Sequence, residues 1–245
     1  VPIREIPCND EVASLLSSFN SMIAIQTKMR DDLIEAEKLK QQLSLNLLQQ
    51  QVNPHFLYNT LDNICALAEL DEKETLIQLV MNLSSFYRSS LSNGKMHISI
   101  GQELEISRAY LEILQIRYFH KFDFTITCPE ALKNYSCIKL LLQPILENSI
   151  YHGIKGLDRH GILHIEAEDA GDCIRFTISD NGRGFSKEDY EKIWQQDADH
   201  FGIKSIQQRI LLYYGPGYGL SMESPQTGGC ITVITLPKQE GLPCH

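Results

Sequence analysis

Apolar side chains recur mostly at steps of three and four from Val12 through Leu15, Leu16, Phe19, Met22, Ile23, Ile25 and Met29 to Leu33, Ala36, Leu39, Leu43 and Leu47. That period places them on one face of an α-helix and fits no strand. Asp10 stands where an N-cap belongs. A long amphipathic helix with such a seam seeks a partner helix, so a homodimer is expected. Around Leu33 a step of four and then three follows an earlier four, a stutter that would partly unwind a heptad coiled coil.

The seam is interrupted at Pro54. Proline lacks a backbone donor and disfavours helix at Asn53, so the helix should bend or restart there, with His55 on the first turn beyond. Phe56, Leu57, Leu61 and Ile64 continue the apolar face, whereas His55 and Asn59, four apart, share another. After Asp71-Glu72-Lys73 a second helix carries Leu76, Leu79, Val80, Leu83, Phe86, Tyr87 and Leu91 and stops at Asn93-Gly94. The two form a helical hairpin. A third helix begins at Ser99, with Gln102 completing a capping box, and runs to about Tyr118.

Beyond this point the period changes to two. Phe122, Phe124, Ile126 and Cys128 alternate with polar residues up to Pro129. A helix over Ile138–His152, strands near Gly161–Glu168 and Cys173–Ser179, a helix Gly202–Tyr214 and a closing hairpin, Tyr218–Glu223 with Gly229–Leu236, complete the pattern. The fold class is α+β, with helices first and a mixed α/β layer after them.

Composition narrows the function classes. Lys+Arg at 22 against Asp+Glu at 31 gives a net charge of -9, which argues against wholesale binding to nucleic acid or anionic lipid and leaves room only for a local basic patch, so an anionic ligand must be held by a local device. The 7 cysteines include no CxxC pair, so they read as free thiols and give no sign of zinc. No apolar run is long enough to span a membrane, and the start at Val1-Pro2-Ile3-Arg4 reads as a piece of a longer chain.

Several motifs follow one another in order: NPHFLYN (Asn53 to Asn59), LLLQPILENSIYHG (Leu140 to Gly153), DNGRGF (Asp180 to Phe185) and GIKSIQQR (Gly202 to Arg209) with LLYYG after it. In this order, from about Leu43 to Pro237, the chain resembles the sensor histidine kinases of the LytS/YesM type, in which a phosphoacceptor hairpin precedes a Bergerat-fold ATP-binding domain. FYRSSLSNGK (Phe86 to Lys95) and YLEILQIRY (Tyr110 to Tyr118) are similar to that family's linking segment. DEVASLLSSFNSM (Asp10 to Met22) resembles the second helix of a HAMP signal-relay module.

The resemblance implies a role for each motif. A neutral imidazole is a competent nitrogen nucleophile, so His55 is the implied phosphoacceptor, with Asn59 beside it on the helix; outside its motif, His55 would read as a surface histidine. Phe56 follows it, so no adjacent carboxylate supplies a base. Glu147, Asn148 and His152 sit on successive turns of one helix. Mg²⁺ takes oxygen ligands and few from protein, so Asn148 is its implied ligand, while Glu147 orients or accepts a proton. His152 lies either on the phosphate path or in a structural hydrogen bond. Gly182 and Gly184 let backbone donors approach a ligand, and Asp180 is the implied acceptor of the adenine amine; alone, the DNG string would read as a hairpin turn.

The stretch from Phe185 to Phe201, containing Trp194, is the implied lid over ATP. It ends at Gly202, where a helix N-terminus suits phosphate, although His200-Phe201-Gly202 lacks the first glycine of the family's Gly-x-Gly. Arg209 reaches phosphate or makes a surface ion pair.

The expected organisation is a relay-helix end over residues 1–27, dimerisation and phosphotransfer helices over 28–97, a linking helix over 98–120 and an ATP-binding α/β sandwich over 121–240. The expected function is ATP- and Mg²⁺-dependent autophosphorylation of His55, then transfer to an aspartate of a cytoplasmic response regulator. The whole would be the cytoplasmic portion of a membrane protein whose membrane part precedes this chain. The rival reading is a Bergerat nucleotide-binding clamp or scaffold without autokinase activity.

Overall fold

The structure, a computed structural model, describes residues 18–32, 34, 54–91, 96–194, 201–226 and 228–239. Most of the HAMP-like segment, Asn53, the C-cap pair Asn93-Gly94 and His200 lie outside them. The chain divides into two compact units, Val1–Leu57 and Tyr58–His245.

In the first unit, residues 18–32 form helix α1. Phe19, Met22, Ile25 and Met29 recur along it at helical spacing and stand 48% to 62% exposed. Among the described residues no helix is long and apolar enough to cross a membrane.

Helix α2 (Pro54–Glu69) starts at its proline, whose fixed φ suits a first helical position. The chain reverses at Asp71, which adopts a positive φ of 59°, and enters α3 (Lys73–Leu91). Strand β1 (His97–Ser99) follows, and then α4 (Ile100–Arg117). Its start is the capping box expected from the sequence: the Ser99 hydroxyl accepts from the Gln102 N–H at 3.2 Å, and the Gln102 side chain accepts from the Ser99 N–H at 3.1 Å. Helix α3 packs along α4, where the Phe86 and Tyr110 rings lie 5.8 Å apart and both are buried. Such an aromatic pair contributes about 0.5–1.5 kcal/mol beyond its area. Tyr58 and Leu61 on α2, Leu70 in the turn after it, and Ile77, Val80 and Met81 on α3 remain exposed.

The remainder is a two-layer sandwich. Strands β2 (Phe122–Thr127), β4 (Gly161–Asp169), β5 (Cys173–Asp180), β7 (Cys230–Pro237) and β6 (Gly219–Glu223) lie in the order β2-β4-β5-β7-β6, with β2 and β4 parallel and the other neighbours antiparallel. One face is apolar: Leu163, Ile165, Ala167, Ile174, Phe176, Ile178, Ile234 and Leu236 alternate inward and are buried. Helices α4 and α7 (Phe201–Tyr214) and the turn Ser149–Ile154 pack on the sheet, and α5 (Gln143–Asn148) packs against both helices. Burial of the Phe176 ring at the centre is worth roughly 1.5–3 kcal/mol.

The helix expected over Ile138–His152 is corrected. Ser136–Ile138 is strand β3, antiparallel to β1, and α5 begins only at Gln143, with Pro144 in its first turn. Leu140 has a φ of 55°, which no α-helix accommodates. From Ser149 to Ile154 the helix continues with π geometry. Within the stretch after Phe185, Lys187–Trp194 forms helix α6.

Candidate functional site

Asn148, Ser149, His152, Gly153, Asp180, Arg183, Gly184, Phe185, Asp189 and Cys230 line one cleft at the edge of the sandwich. Helix α5 delivers Asn148 and its π-helical continuation delivers His152. The wider π turn still puts residues four apart on nearly one side, so both reach the cleft. Insertions of this kind recur at functional sites.

Asp180, the last residue of β5, supplies the floor. Its Oδ1 accepts the Gly182 N–H at 2.8 Å and the Cys230 N–H at 3.2 Å. Its Oδ2 is buried and takes no hydrogen bond of good geometry, although the Ser149 hydroxyl lies near the carboxyl. Burial raises the carboxyl above the ordinary aspartate value, while the Ser149 hydroxyl and the Gly182 and Cys230 amides favour the charged form. A buried acceptor left open is costly unless a donor comes to it. The amine of a nucleobase fits that requirement.

The loop after Asp180 is built for close approach. A Cβ on Gly182 would stand 2.6 Å from Asp180 Oδ1 and 2.7 Å from Gly153 Cα, so only glycine lets the loop pass over the π turn. Gly184 has a φ of 71°, and a side chain there would meet the Ser224 hydroxyl. The loop is pinned from outside as well: the Asn181 side chain accepts the Ile162 N–H at 2.8 Å, Arg159 donates to the Asn181 carbonyl at 2.6 Å, and the Gly229 N–H donates to the Gly182 carbonyl at 2.9 Å. Burial pushes the Cys230 thiol up to about 11, so it sits in the cleft as a neutral group.

The remaining site residues expected from the sequence are placed elsewhere. Gly182 shapes the floor from beneath and does not itself line the cleft. Glu147 is half-buried against α4, and burial raises its carboxyl while the Arg117 guanidinium opposes the shift. Arg117 in turn donates to the Tyr151 hydroxyl at 2.8 Å. Gly202 is the second residue of α7 and abuts Pro144 at the head of α5. His55, exposed, is the second residue of α2, and Asn59 follows four positions later in that helix.

Arg209 needs a correction. It is 4% exposed, donates through Nη1 to the Leu140 carbonyl at 3.2 Å and through Nη2 to the Lys139 carbonyl, and neither lines the cleft nor lies on the surface.

Sequence reasoning missed Ser149, Gly153, Arg183, Phe185, Asp189 and Cys230 as cleft residues. For Asp189 a signal exists. In Ser186-Lys187-Glu188-Asp189 the Ser186 hydroxyl accepts the Asp189 N–H at 3.1 Å and Asp189 accepts the Ser186 N–H at 3.1 Å, a capping box that starts α6.

Residues 43–122 match the family model "Histidine kinase", and residues 135–240 match "Histidine kinase-, DNA gyrase B-, and HSP90-like ATPase". The sensor histidine kinase YesM of Bacillus subtilis (strain 168) is 31% identical over 93% of this chain. The chain belongs to the histidine kinases of the LytS/YesM type. The sensor protein LytS of Staphylococcus haemolyticus (strain JCSC1435) is 27% identical over 89% of the chain, and the sensor histidine kinase BtsS of Escherichia coli (strain K12) is 33% identical over 74%. The chain spans 39%, 37% and 31% of the lengths of these LytS/YesM-type relatives. A solved structure, the catalytic domain of histidine kinase ThkA, is 16% identical with a TM-score of 0.47, and covers 59% of this chain and 97% of its own.

Proposed function

We propose that this chain is the kinase portion of a two-component sensor, which binds ATP in the cleft, phosphorylates itself on His55 and passes the phosphoryl group to an aspartate of a cytoplasmic response regulator. The observation that carries the reading is the open, buried Oδ2 of Asp180 in a cleft that also presents Asn148 and His152. It is joined by the phosphoacceptor motif around His55 and by the family to which the chain belongs.

In the transfer, a lone pair on a His55 ring nitrogen forms a bond to the γ-phosphorus of ATP. The bond from that phosphorus to the β–γ bridging oxygen breaks, its electrons leave with ADP, and the other ring nitrogen releases its proton to water. Such transfers depend on positioning and on charge stabilisation more than on covalent help. Asp180 accepts from the adenine amine, and His152 and the backbone around Gly184 lie where phosphates would run. A magnesium ion supplies charge neutralisation when bound, and the Asn148 amide oxygen suits it. Among the described residues no three His, Cys, Asp or Glu side chains gather into a metal site, so its other ligands would be phosphate and water.

The kinase is proposed to act as a homodimer. The exposed apolar rows on α1 and on α2–α3 support this, because such surface is normally covered. It is further proposed to be held at the cell membrane by segments preceding the chain, with no direct role for nucleic acid. To test the activity, the protein is incubated with γ-labelled ATP and Mg²⁺. Retained label that is lost in acid and survives alkali identifies a phosphohistidine; alkali-labile or absent label refutes the proposal.

A further inference from the structure

Between β3 and α5 the chain crosses Lys139–Leu142 without regular secondary structure, and Leu140 takes a left-handed conformation (φ 55°) that a leucine holds only when its surroundings impose it. Two buried side chains bond the backbone there. Glu103, fully buried near the start of α4, accepts the Leu140 N–H on Oε2 at 2.8 Å and the Leu142 N–H on Oε1 at 2.9 Å. Arg209, buried on α7, holds the Lys139 and Leu140 carbonyls. The carboxyl takes the crossing's donors and the guanidinium takes its acceptors; burial pushes Glu103 up and Arg209 down, and the charge of each works against the shift of the other. The Tyr214 hydroxyl, also on α7, accepts the Ile138 N–H at 2.9 Å just upstream. Helix α5 starts at the next residue and ends at Asn148.

A buried pair of charged groups is a poor means of stabilising a core, since apolar groups of the same volume serve as well. Unlike apolar groups, it can fix a backbone conformation through directed bonds. We propose that Glu103 and Arg209 are positioning residues: through the Lys139–Leu142 crossing they set where α5 presents Asn148 and His152 to the nucleotide. They thereby tie the cleft to α4, the helix against which α3 packs, and to α7. The proposal rests on the reading of the cleft as an ATP site.

The test uses the whole chain and the variants E103Q, R209K and R209M. Glutamine turns an amide N–H toward Leu140 or Leu142, where an acceptor is required. Lysine keeps the charge but cannot bridge both carbonyls. The Michaelis constant for Mg·ATP and the saturating rate of self-phosphorylation are measured together with amide exchange over Gln143–Ile154 in nucleotide-free protein. We expect E103Q to raise the Michaelis constant about tenfold, the scale of one lost charge-assisted hydrogen bond. The saturating rate should stay within about twofold, and exchange should accelerate over Gln143–Ile154 but not over β4 and β5. R209K should retain part of what R209M loses.

A purely structural role removes active molecules, which lowers the saturating rate and leaves the Michaelis constant alone. That result, or parent-like exchange over Gln143–Ile154, overturns the proposal. If E103Q lacks a cooperative unfolding transition, E103D, which keeps the charge and shortens the reach, takes its place. Should the parent neither bind ATP nor label itself, the functional reading fails, while exchange over Gln143–Ile154 still decides whether the brace positions α5.

Discussion

Replacing Asp180 with asparagine tests the floor of the cleft atom by atom. In the parent, Oδ1 is committed to the amides of Gly182 and Cys230, and Oδ2 is buried and open. An asparagine that keeps its oxygen at the Oδ1 position points its NH₂ at the place proposed for the adenine amine, so two donors meet. The flipped rotamer restores an acceptor for adenine but sets NH₂ against the Gly182 and Cys230 amides. Either way one buried charge-assisted bond is lost, about 1.5–3 kcal/mol, or roughly 10-fold to 150-fold in the dissociation constant.

The pH dependence gives a second check. Burial raises the Asp180 carboxyl, and nucleotide needs it ionised, so parent affinity is full above the raised value and falls as pH drops toward it. Stability of the nucleotide-free protein runs the other way. The fold binds this proton more tightly than the unfolded chain does, so the contribution of Asp180 is full below the unfolded value and lost as pH rises through the folded one. Calorimetric titration of ATP into parent and D180N at pH 8 and at pH 5 separates these effects. The parent should weaken at pH 5 more than the variant does. Parent-like affinity in D180N at pH 8 would place the adenine elsewhere and refute the argument.

Gly182→Ala should weaken ATP binding at least tenfold and lower stability by about 1–3 kcal/mol, because its Cβ would stand 2.7 Å from the Gly153 backbone; nucleotide titration and urea unfolding measure the two effects. Asn148→Asp adds a charge beside the phosphates and alters the metal's oxygen donor, so labelling should require a different magnesium concentration, and an unchanged magnesium profile counts against Asn148 as ligand. Ser99→Ala breaks the capping box and should cost about 1 kcal/mol in urea unfolding while leaving ATP affinity unchanged.

The local rules proved legible wherever one face was buried and the other wet. Strands β4 and β5 declared themselves through their alternation, and α4 through Ser99 and Gln102, because both signals are short-range. Lys139–Leu142 misled for the opposite reason. It leads into an apolar run, Leu140-Leu141-Leu142, whose period is ambiguous, and its conformation is set by Glu103 and Arg209, far away in the sequence. The same distance hid the work of Arg209: a basic residue in a helix near a glycine motif resembles a phosphate ligand until its carbonyl partners are known. Asp180 and Asn148 could be read because their motifs are contiguous. The contribution of Cys230 depends on the β5–β7 register that pairs it with Asp180.

If His55 receives the phosphoryl group of ATP bound at a separate site, removing its ring abolishes labelling and spares nucleotide binding. Parent and His55→Gln are compared for ATP affinity by calorimetry and for retained label from γ-labelled ATP with Mg²⁺. Equal affinity within about twofold and complete loss of acid-labile label in the variant are expected. Equal labelling of the two proteins, or label recovered on another residue of the parent, would contradict that role for His55.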